Sequence, residues 1–278
     1  MRVAVVGHVE WAEFVRVARM PAPGEIVQAR ERWEGPGGGG AVAAAELARL
    51  AGEALFLTAL GDDELGRRAA AELAAFGVRV AAAWRPEPTR RVFVHVDAAG
   101  ERTITVIGPR LAPRRADPLP WDELARCDAV YLTAADADGV RAARAARVLV
   151  ATPRAREPLR EAHVRLDALV GSARDPGERW APDALDPPPA LRVATEGADG
   201  GRWHDAQGGA GRWAAAPLPG PPADAYGAGD RFAAALTFAL AERRPLGDAL
   251  AFAARRGARA LAERGPLGAP PAGAWRED

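Results

Sequence analysis

Residues 224–230 read Asp-Ala-Tyr-Gly-Ala-Gly-Asp and lead directly into Arg-Phe-Ala-Ala-Ala-Leu-Thr-Phe-Ala-Leu-Ala-Glu-Arg at 231–243. The apolar residues of the second stretch recur at helical spacing, which predicts a helix over 228–242. Gly227, Ala228 and Gly229 then lie at the helix N-terminus, where unpaired N–H groups and the helix dipole attract anions. Because these residues are small, a phosphate group can approach the backbone closely.

Asp230 falls in the first turn of this predicted helix, beside the anion site. A carboxylate there can take the proton of a hydroxyl while the amides hold the charge that grows on a transferring phosphoryl group. The residues alone leave a structural alternative open. In that alternative the stretch is an ordinary glycine-rich loop, and Asp230 only stabilises the start of the helix.

Composition narrows the class of protein. The 278 residues include 37 basic and 37 acidic side chains, so zero net charge gives no indication of a nucleic-acid partner or an anionic membrane. The sequence contains no lysine, which excludes Schiff-base chemistry and a Walker-type P-loop. The opening residues read as a core strand, and no apolar run approaches the ~18 residues of a membrane span. We therefore expect a cytoplasmic protein.

Strands alternate with helices along most of the chain, beginning with the apolar run 3–6. This rhythm predicts a three-layer α/β/α sandwich with a mainly parallel central sheet. Segments 9–35 and 88–108 interrupt the rhythm, and the second alternates apolar and polar residues around Ala99-Gly100, which is a hairpin signal. We interpret residues 1–278 as a single domain whose two interrupting segments form a small β lid.

The stretch 224–230 resembles the Asp-Thr/Ser-x-Gly-Ala-Gly-Asp signature of the ribokinase-like (phosphofructokinase-B type) carbohydrate kinases. Further matches to that family follow in the correct order along the chain. They are the Pro-x-Pro-Gly-Glu turn at 21–25, the glycine loop at 37–41, the Gly-Asp-Asp-x-x-Gly element at 61–66 and the Thr-x-Gly-x-x-Gly loop at 195–200.

The resemblance implies a role for each matching position. Asp230 would be the catalytic base, and the amides of Gly227, Ala228 and Gly229 would form the anion hole. The remaining candidates are Thr195, Gly197 and Gly200 for the nucleotide, and Glu10, Trp11, Gly38 and Gly39 for the acceptor. It also implies ATP and Mg²⁺ as cofactors, and a homodimer formed through the lid.

Two carboxylates are candidate cation ligands by the same resemblance. Residues 172–175 read Ser-Ala-Arg-Asp where the family has Asn-x-x-Glu, an element that helps to place hydrated magnesium, so Asp175 is the magnesium candidate. Asp224, the first residue of the signature stretch, is the candidate ligand for a monovalent cation.

The acceptor end departs from ribokinase itself. Glu10, Ala12, Gly39 and Val42 stand where polar residues of ribokinase grip the sugar, and Ala135 stands where the family has a carboxylate. Sites that hydrogen-bond a hydroxyl lose their preference when those groups are removed, so we expect ribose to be a poor acceptor. Arg110, which follows the predicted hairpin, is either a contact for an anionic substrate or a surface arginine.

The sequence therefore predicts ATP-dependent phosphorylation of a hydroxyl on a small sugar-like substrate. Two alternatives remain open. A nucleoside kinase on the same fold is favoured by the aromatic ring of Trp11, next to Glu10, and by the loss of the residues that grip the sugar in ribokinase. A non-catalytic ligand-binding descendant of kinases is favoured by the altered acceptor and magnesium elements, and is opposed by the intact anion hole and Asp230.

Overall fold

The computed structural model describes residues 1–179 and 184–268. In chain order its elements are β1 (Val3–Val6), β2 (Glu10–Arg16), β3 (Glu31–Gly37), α1 (Gly39–Ala51), β4 (Ala54–Gly61), α2 (Glu64–Ala75), β5 (Val78–Arg85), β6 (Arg91–Val96), β7 (Arg102–Ile107), β8 (Ala129–Leu132), α3 (Ala137–Ala143), β9 (Val148–Ala151), α4 (Arg156–Ala162), β10 (Ala168–Ser172), β11 (Leu191–Thr195), β12 (Gly201–Asp205), β13 (Ala210–Trp213), α5 (Ala228–Ala241) and α6 (Leu246–Leu261).

The central sheet has the strand order β13-β12-β11-β10-β9-β8-β1-β4-β5 within these residues. Adjacent strands pair in parallel from β11 through β5, and the two remaining pairs, β11–β12 and β12–β13, are antiparallel. A parallel sheet is covered on both faces, so its strands are apolar without alternation. The fully apolar run of β1 obeys this rule, and the predicted mainly parallel sheet is confirmed.

The two faces of β1 contribute to two separate cores. Val3 and Val5 pack with α1, α5 and α6, whereas Ala4 and Val6 pack with α3 and α4. This division follows from the alternation of side chains along a strand. Helices therefore cover both faces of the sheet, which confirms the three-layer sandwich.

A second sheet, with the order β3-β2-β6-β7, is built from the two interrupting segments and forms the lid. Strands β6 and β7 form the predicted hairpin, and Gly100 in its turn has a φ of +81°, which favours glycine. Strands β2 and β3 lie in and next to segment 9–35, which we predicted to be part of the β lid without assigning individual strands to it. The antiparallel pair β12–β13 was likewise not predicted.

The lid is joined to the core at the places where the candidate acceptor residues lie. Only residues 7–9 separate β1 from β2, and Gly38 alone separates β3 from α1. The structure thus places His8 and Gly38 at the two junctions between the core and the β2–β3 part of the lid. In the described part of the chain, no helix has both the length and the apolarity needed to cross a bilayer.

Candidate active site

The candidate site lies at the carboxyl ends of the parallel strands, where open α/β sheets bind ligands. His8 follows β1, Thr133 follows β8, and Arg154 lies just beyond β9. Their proximity is direct, because the Thr133 hydroxyl lies 3.4 Å from Nδ1 of His8. The N-terminus of α5 reaches this same edge, since Asp230 lies against Gly39 next to Thr133.

Helix α5 begins as the sequence predicts. Gly227 is its N-cap, with a φ of +75°, and no side chain caps the first turn. The first N–H groups of a helix have no partner within it, so those of Ala228 and Gly229 are open to a ligand. A side chain at Gly229 would meet nothing within 4 Å, which shows open space over this turn. The geometry suits an anion approaching the backbone.

Asp230 is a perturbed carboxylate. Burial, together with the nearby carboxylate of Glu178, raises its pKa to about 7, although Arg154 and Arg102 act in the opposite direction. Its side chain has no hydrogen-bond donor among residues 1–179 and 184–268. A carboxylate with a pKa near neutrality and no structural partner has the properties of a general base.

The glycine loop before α1 lies directly against this base. A Cβ atom on Gly39 would lie 2.6 Å from Oδ1 of Asp230, so no larger residue fits without displacing the carboxylate. Gly38 has a φ of +85°, and its N–H donates to the hydroxyl of Tyr226 at 2.8 Å. The structure thus brings two of the predicted acceptor residues, Gly38 and Gly39, next to the predicted base.

Glu10 joins the same group through Tyr226. The Tyr226 hydroxyl donates to Oε1 of Glu10 at 2.9 Å, and Oε2 of Glu10 lies 3.2 Å from Nε of Arg90. Glu10 is therefore a buried, partnered carboxylate of the pocket and not a solvated residue of the lid. Tyr226 connects the signature stretch, the glycine loop and the lid strand β2.

Trp11 is not part of this group. It follows Glu10 on β2, and successive side chains of a strand point to opposite faces. Its ring is 1% exposed and lies beneath the guanidinium of Arg68 on α2, 4.4 Å from the ring centroid. The prediction that Trp11 offers a stacking face to the acceptor disagrees with this placement, because Arg68 already covers the ring.

The predicted nucleotide loop follows β11. Thr195 pairs in register with Ser172 of β10, so the loop lies beside the candidate magnesium element. Gly197 and Gly200 have φ values of +66° and +77°, and a Cβ atom on Gly200 would lie 2.0 Å from the carbonyl oxygen of Trp213. Glycine is therefore required at Gly200, which is buried in a tight turn.

The two candidate cation ligands are already engaged. Asp175 accepts from the N–H of Gly177 at 2.8 Å and pairs with Arg154. Asp224 is buried, and its two oxygens each accept a backbone N–H at 2.8 Å, from Tyr226 and Gly265. Asp224 thus organises the loop before α5. The described residues contain no group of three acidic, cysteine or histidine side chains able to hold a metal ion on their own.

Several residues of the site were missed or undervalued in the sequence. Glu178 accepts from the N–H of Ser172 at 2.8 Å and from Nε of Arg154 at 2.7 Å, and it influences Asp230. Arg90, Arg110 and Arg154 converge on His8, whose pKa burial and these three cations hold well below its ordinary range. One signal was available, because each of these residues lies at or near the end of a strand.

The lid contacts the loop that precedes Asp230. The guanidinium of Arg102, at the start of β7, donates to the carbonyl of Ala225 at 2.7 Å, and that of Arg16 on β2 donates to the carbonyl of Ala223 at 3.0 Å. Gly100 in the hairpin turn also lies near Pro222. The hairpin is therefore at the same end of the sheet as Asp230.

Comparisons with solved structures agree on the fold. Ribokinase of Arabidopsis thaliana, complexed with ribose and ATP, superposes with a TM-score of 0.75 at 22% identity, covering 96% of this chain and 94% of that one. Ribokinase of Cryptococcus neoformans, in complex with ADP, gives 0.74 at 23% identity, covering 96% and 95%. Adenosine kinase of Sinorhizobium meliloti gives 0.75 at 19% identity, covering 95% of each chain.

These identities establish the shared fold and no more. No curated protein matches the chain by sequence. The family model for pfkB family carbohydrate kinases, in contrast, matches residues 1–272. That match covers nearly the whole sequence, including every motif that positions Asp230 and the loops around it. The chain therefore belongs to the pfkB family of carbohydrate kinases.

Proposed function

We propose that this kinase transfers the γ-phosphoryl group of ATP to a hydroxyl of a small sugar-like acceptor, with Asp230 as the general base. One observation carries the proposal. A carboxylate whose pKa is about 7 stands at the N-terminus of α5, free of hydrogen bonds from the described residues and in contact with Gly39 of the glycine loop. It is therefore available to take a proton near neutral pH.

The transfer needs little covalent chemistry from the protein, because positioning and electrostatic stabilisation do most of the work. Gly38 and Glu10 would orient the acceptor so that one hydroxyl faces Asp230. Asp230 takes the proton of that hydroxyl as its oxygen attacks the γ-phosphorus, and the bond from phosphorus to the bridging oxygen of ADP breaks. The N–H groups of Ala228 and Gly229 would hold the negative charge on the transferring group.

Thr195, Gly197 and Gly200 would contact the nucleotide, and the fit to ATP rests on the tight, glycine-only turn at Gly200. For magnesium the fit rests on the chemistry of the donor set. Mg²⁺ is commonly held by one or two carboxylates together with substrate phosphates and water, and Asp175 and Glu178 supply such carboxylates beside Ser172. When bound, the ion would offset the charge of the ATP phosphates. A monovalent cation at Asp224 would have to share oxygens that already accept two N–H groups.

We favour a sugar-like acceptor over a nucleoside. The adenosine kinase neighbour keeps the nucleoside alternative open, but Trp11, the residue that favoured it, is covered by Arg68. We also propose a homodimer formed through the lid. The edge strand β7 is exposed along its whole length and carries Ile104, Val106 and Ile107, which are 40%, 49% and 45% exposed. Exposed edge strands are commonly paired or covered.

The test is the variant Asp230→Asn, assayed by ADP release over a panel of sugars, polyols and nucleosides. We expect ATP to bind almost as it does to the unsubstituted protein, and turnover to fall by ~10²–10⁴-fold, the usual contribution of general-base catalysis. Asp138→Asn, which changes a carboxylate in the first turn of α3, is the matched control and should retain its turnover. A loss of less than about fivefold in Asp230→Asn at saturating acceptor would remove Asp230 from the mechanism.

A further inference from the structure

Positive charge gathers around His8, which lies beside the candidate acceptor residues Glu10 and Gly38. Arg90 precedes β6 and Arg110 follows β7, so both lie at the base of the lid hairpin, where Gly108 passes close to the backbone of Arg90. Both lie near enough to His8 to lower its pKa. Because His8 is thereby held neutral, the charge of this region resides on the two guanidinium groups.

The described carboxylates do not balance these two charges. Arg90 pairs with Glu10 at 3.2 Å, and the other oxygen of Glu10 accepts from Tyr226. Arg154, the third cation near His8, pairs with Asp175 and Glu178. In contrast, Arg110 makes no ion pair or hydrogen bond with residues 1–179 or 184–268, and its Nε is buried without a partner.

An unpaired, half-buried guanidinium is costly, because buried charges are normally paired and hydrogen-bonded. Burial lowers the pKa of Arg110, and repulsion from Arg90 and Arg154 lowers it further. The nearest compensating charge is that of Glu10, which Arg90 already uses. An added anion would pair with Arg110 and reduce the repulsion between the arginines.

The structure also provides room for that anion. Arg110 lines a cavity of about 210 Å³ at the base of the lid, beside the acceptor residues rather than among them. Its wall also includes Arg85, Arg114 and Ala135, the last at the position where the family has a carboxylate. Alanine there removes a negative charge that would repel an anion. Of the acidic residues in the wall, Asp136 is occupied, since it accepts from the N–H groups of Gly139 and Arg115, and Glu87 is exposed to solvent.

We infer that the acceptor carries an anionic group, a carboxylate or a phosphate, which Arg110 binds together with Arg90. This inference rests on the proposed kinase function and names its substrate class. The acceptor would span the pocket with the reacting hydroxyl at Asp230, its neutral centre beside Glu10 and Gly38, and its anionic group at the base of the lid. Guanidinium groups suit both anions, because their paired N–H donors match carboxylate and phosphate oxygens.

The experiment compares neutral sugars with the sugar acid and the sugar phosphate derived from each, for example glucose with gluconate and fructose with fructose 6-phosphate. ADP release is measured for the unsubstituted protein, for Arg110→Gln and for Arg91→Gln. Arg91 is the matched control, because it lies on the same lid and pairs with Glu13 on the opposite face of the sheet from Glu10. The same acceptors are titrated without ATP by calorimetry.

We expect an anionic acceptor to exceed its neutral partner by at least roughly a hundredfold in kcat/KM, since it gains charge-assisted hydrogen bonds. Arg110→Gln should raise the KM and Kd of that acceptor by roughly tenfold or more, leaving the KM for ATP unchanged, and Arg91→Gln should leave all three constants unchanged. The acid and phosphate arms then identify which anion is bound.

Efficient turnover of a neutral sugar, with no gain from its anionic derivatives, would overturn the inference and leave the kinase proposal intact. An absence of turnover with every acceptor would instead count against the kinase proposal. In that case calorimetry alone tests the inference. Binding of an anionic compound that is weaker in Arg110→Gln would support it, and equal binding by Arg110→Gln and the unsubstituted protein would overturn it.

Discussion

Asp230→Asn should make the protein more stable while it lowers turnover by ~10²–10⁴-fold. The folded protein raises the pKa of this carboxyl from its usual 3.8 to about 7. Folding therefore favours the protonated form and opposes the ionised one. Asparagine has nearly the same shape without the charge, and the described structure shows no hydrogen bond to Asp230 that the substitution would break.

The size of the effect follows from the pKa and depends on pH. The folded state binds the proton roughly a thousandfold more tightly than the unfolded chain, which is worth about 4 kcal/mol at pH 8 and about 2 kcal/mol at pH 5. The helix dipole stabilises the charged form by about 0.3–1 kcal/mol, which reduces the difference. We therefore expect the free energy of unfolding of Asp230→Asn to exceed that of the unsubstituted protein by roughly 3 kcal/mol at pH 8. Because the folded-state pKa is raised, the unsubstituted protein loses stability relative to the variant as pH rises from about 4 to 7, and the difference levels off above 7.

Urea unfolding at several pH values between 5 and 8 measures this difference directly. Asp138→Asn provides the control, because Asp138 is an exposed carboxylate in the first turn of α3 that pairs with Arg141. It should change the free energy of unfolding by less than about 1 kcal/mol, in the destabilising direction. The reasoning would be refuted if Asp230→Asn were less stable than the unsubstituted protein at pH 8, or if its gain were the same at pH 5.

Three further predictions concern the site. First, kcat/KM should rise with pH, and the midpoint of that rise should lie at about pH 7, because Asp230 acts only when deprotonated. Glu178→Gln removes a neighbouring negative charge and one of the partners of Arg154, so the midpoint should fall. Glu242→Gln, at the far end of α5, should leave the midpoint in place. An unchanged midpoint in Glu178→Gln would show that this charge does not act on the base. Second, Gly39→Ala should lower kcat by at least about a hundredfold with little effect on ATP binding, since its Cβ atom would lie 2.6 Å from the Asp230 carboxylate. Gly247→Ala, which has open space around it and no positive φ, is the control for the loss of a glycine away from the site. A kcat within a few-fold of normal for Gly39→Ala would mean that the loop and base are farther apart in solution. Third, a bulky charged loop in place of residues 98–101 should raise the acceptor KM and the rate at which ATP is hydrolysed without phosphorylation of the acceptor. The reason is that the hairpin turn lies against residues 222–223 and that a closed lid excludes water. An unchanged ratio of acceptor phosphorylation to ATP hydrolysis would place the lid outside the reaction.

Much of the fold could be predicted because its signals are local. A run such as Val3–Val6 indicates a buried parallel strand by itself, and the alternation around Ala99-Gly100 indicates a hairpin. Strand β3 was missed because its sequence, Glu-Arg-Trp-Glu-Gly-Pro-Gly, contains two glycines and a proline that oppose strand formation. It forms because β2 pairs with it along seven residues, and pairing with a distant segment is not visible locally.

The residues of the candidate site also fall into two groups, those that the local sequence identifies and those that it does not. Asp230 and Gly39 could be found because each belongs to a short motif whose geometry is set by the chain around it. Arg110 and Glu178 could not be ranked above other charged residues, because what distinguishes them is a missing partner in one case and nearness to Asp230 in the other. Trp11 is different, because strand alternation already implied that it and Glu10 face opposite ways once β2 is known to be a strand.

The way in which the lid is joined to the core bears on how this enzyme could be re-engineered. Apart from Asp230, the residues that we propose for the acceptor come from 8–40 and 90–110, whereas those proposed for the nucleotide and its phosphates come from 172–229. The proposed determinants of acceptor choice and of ATP use thus lie mostly in separate parts of the sequence. We expect a chimaera that exchanges the two lid segments, joined to the core near His8, Gly38, Arg90 and Gly108, to change the acceptor preference while residues 172–230 stay unaltered.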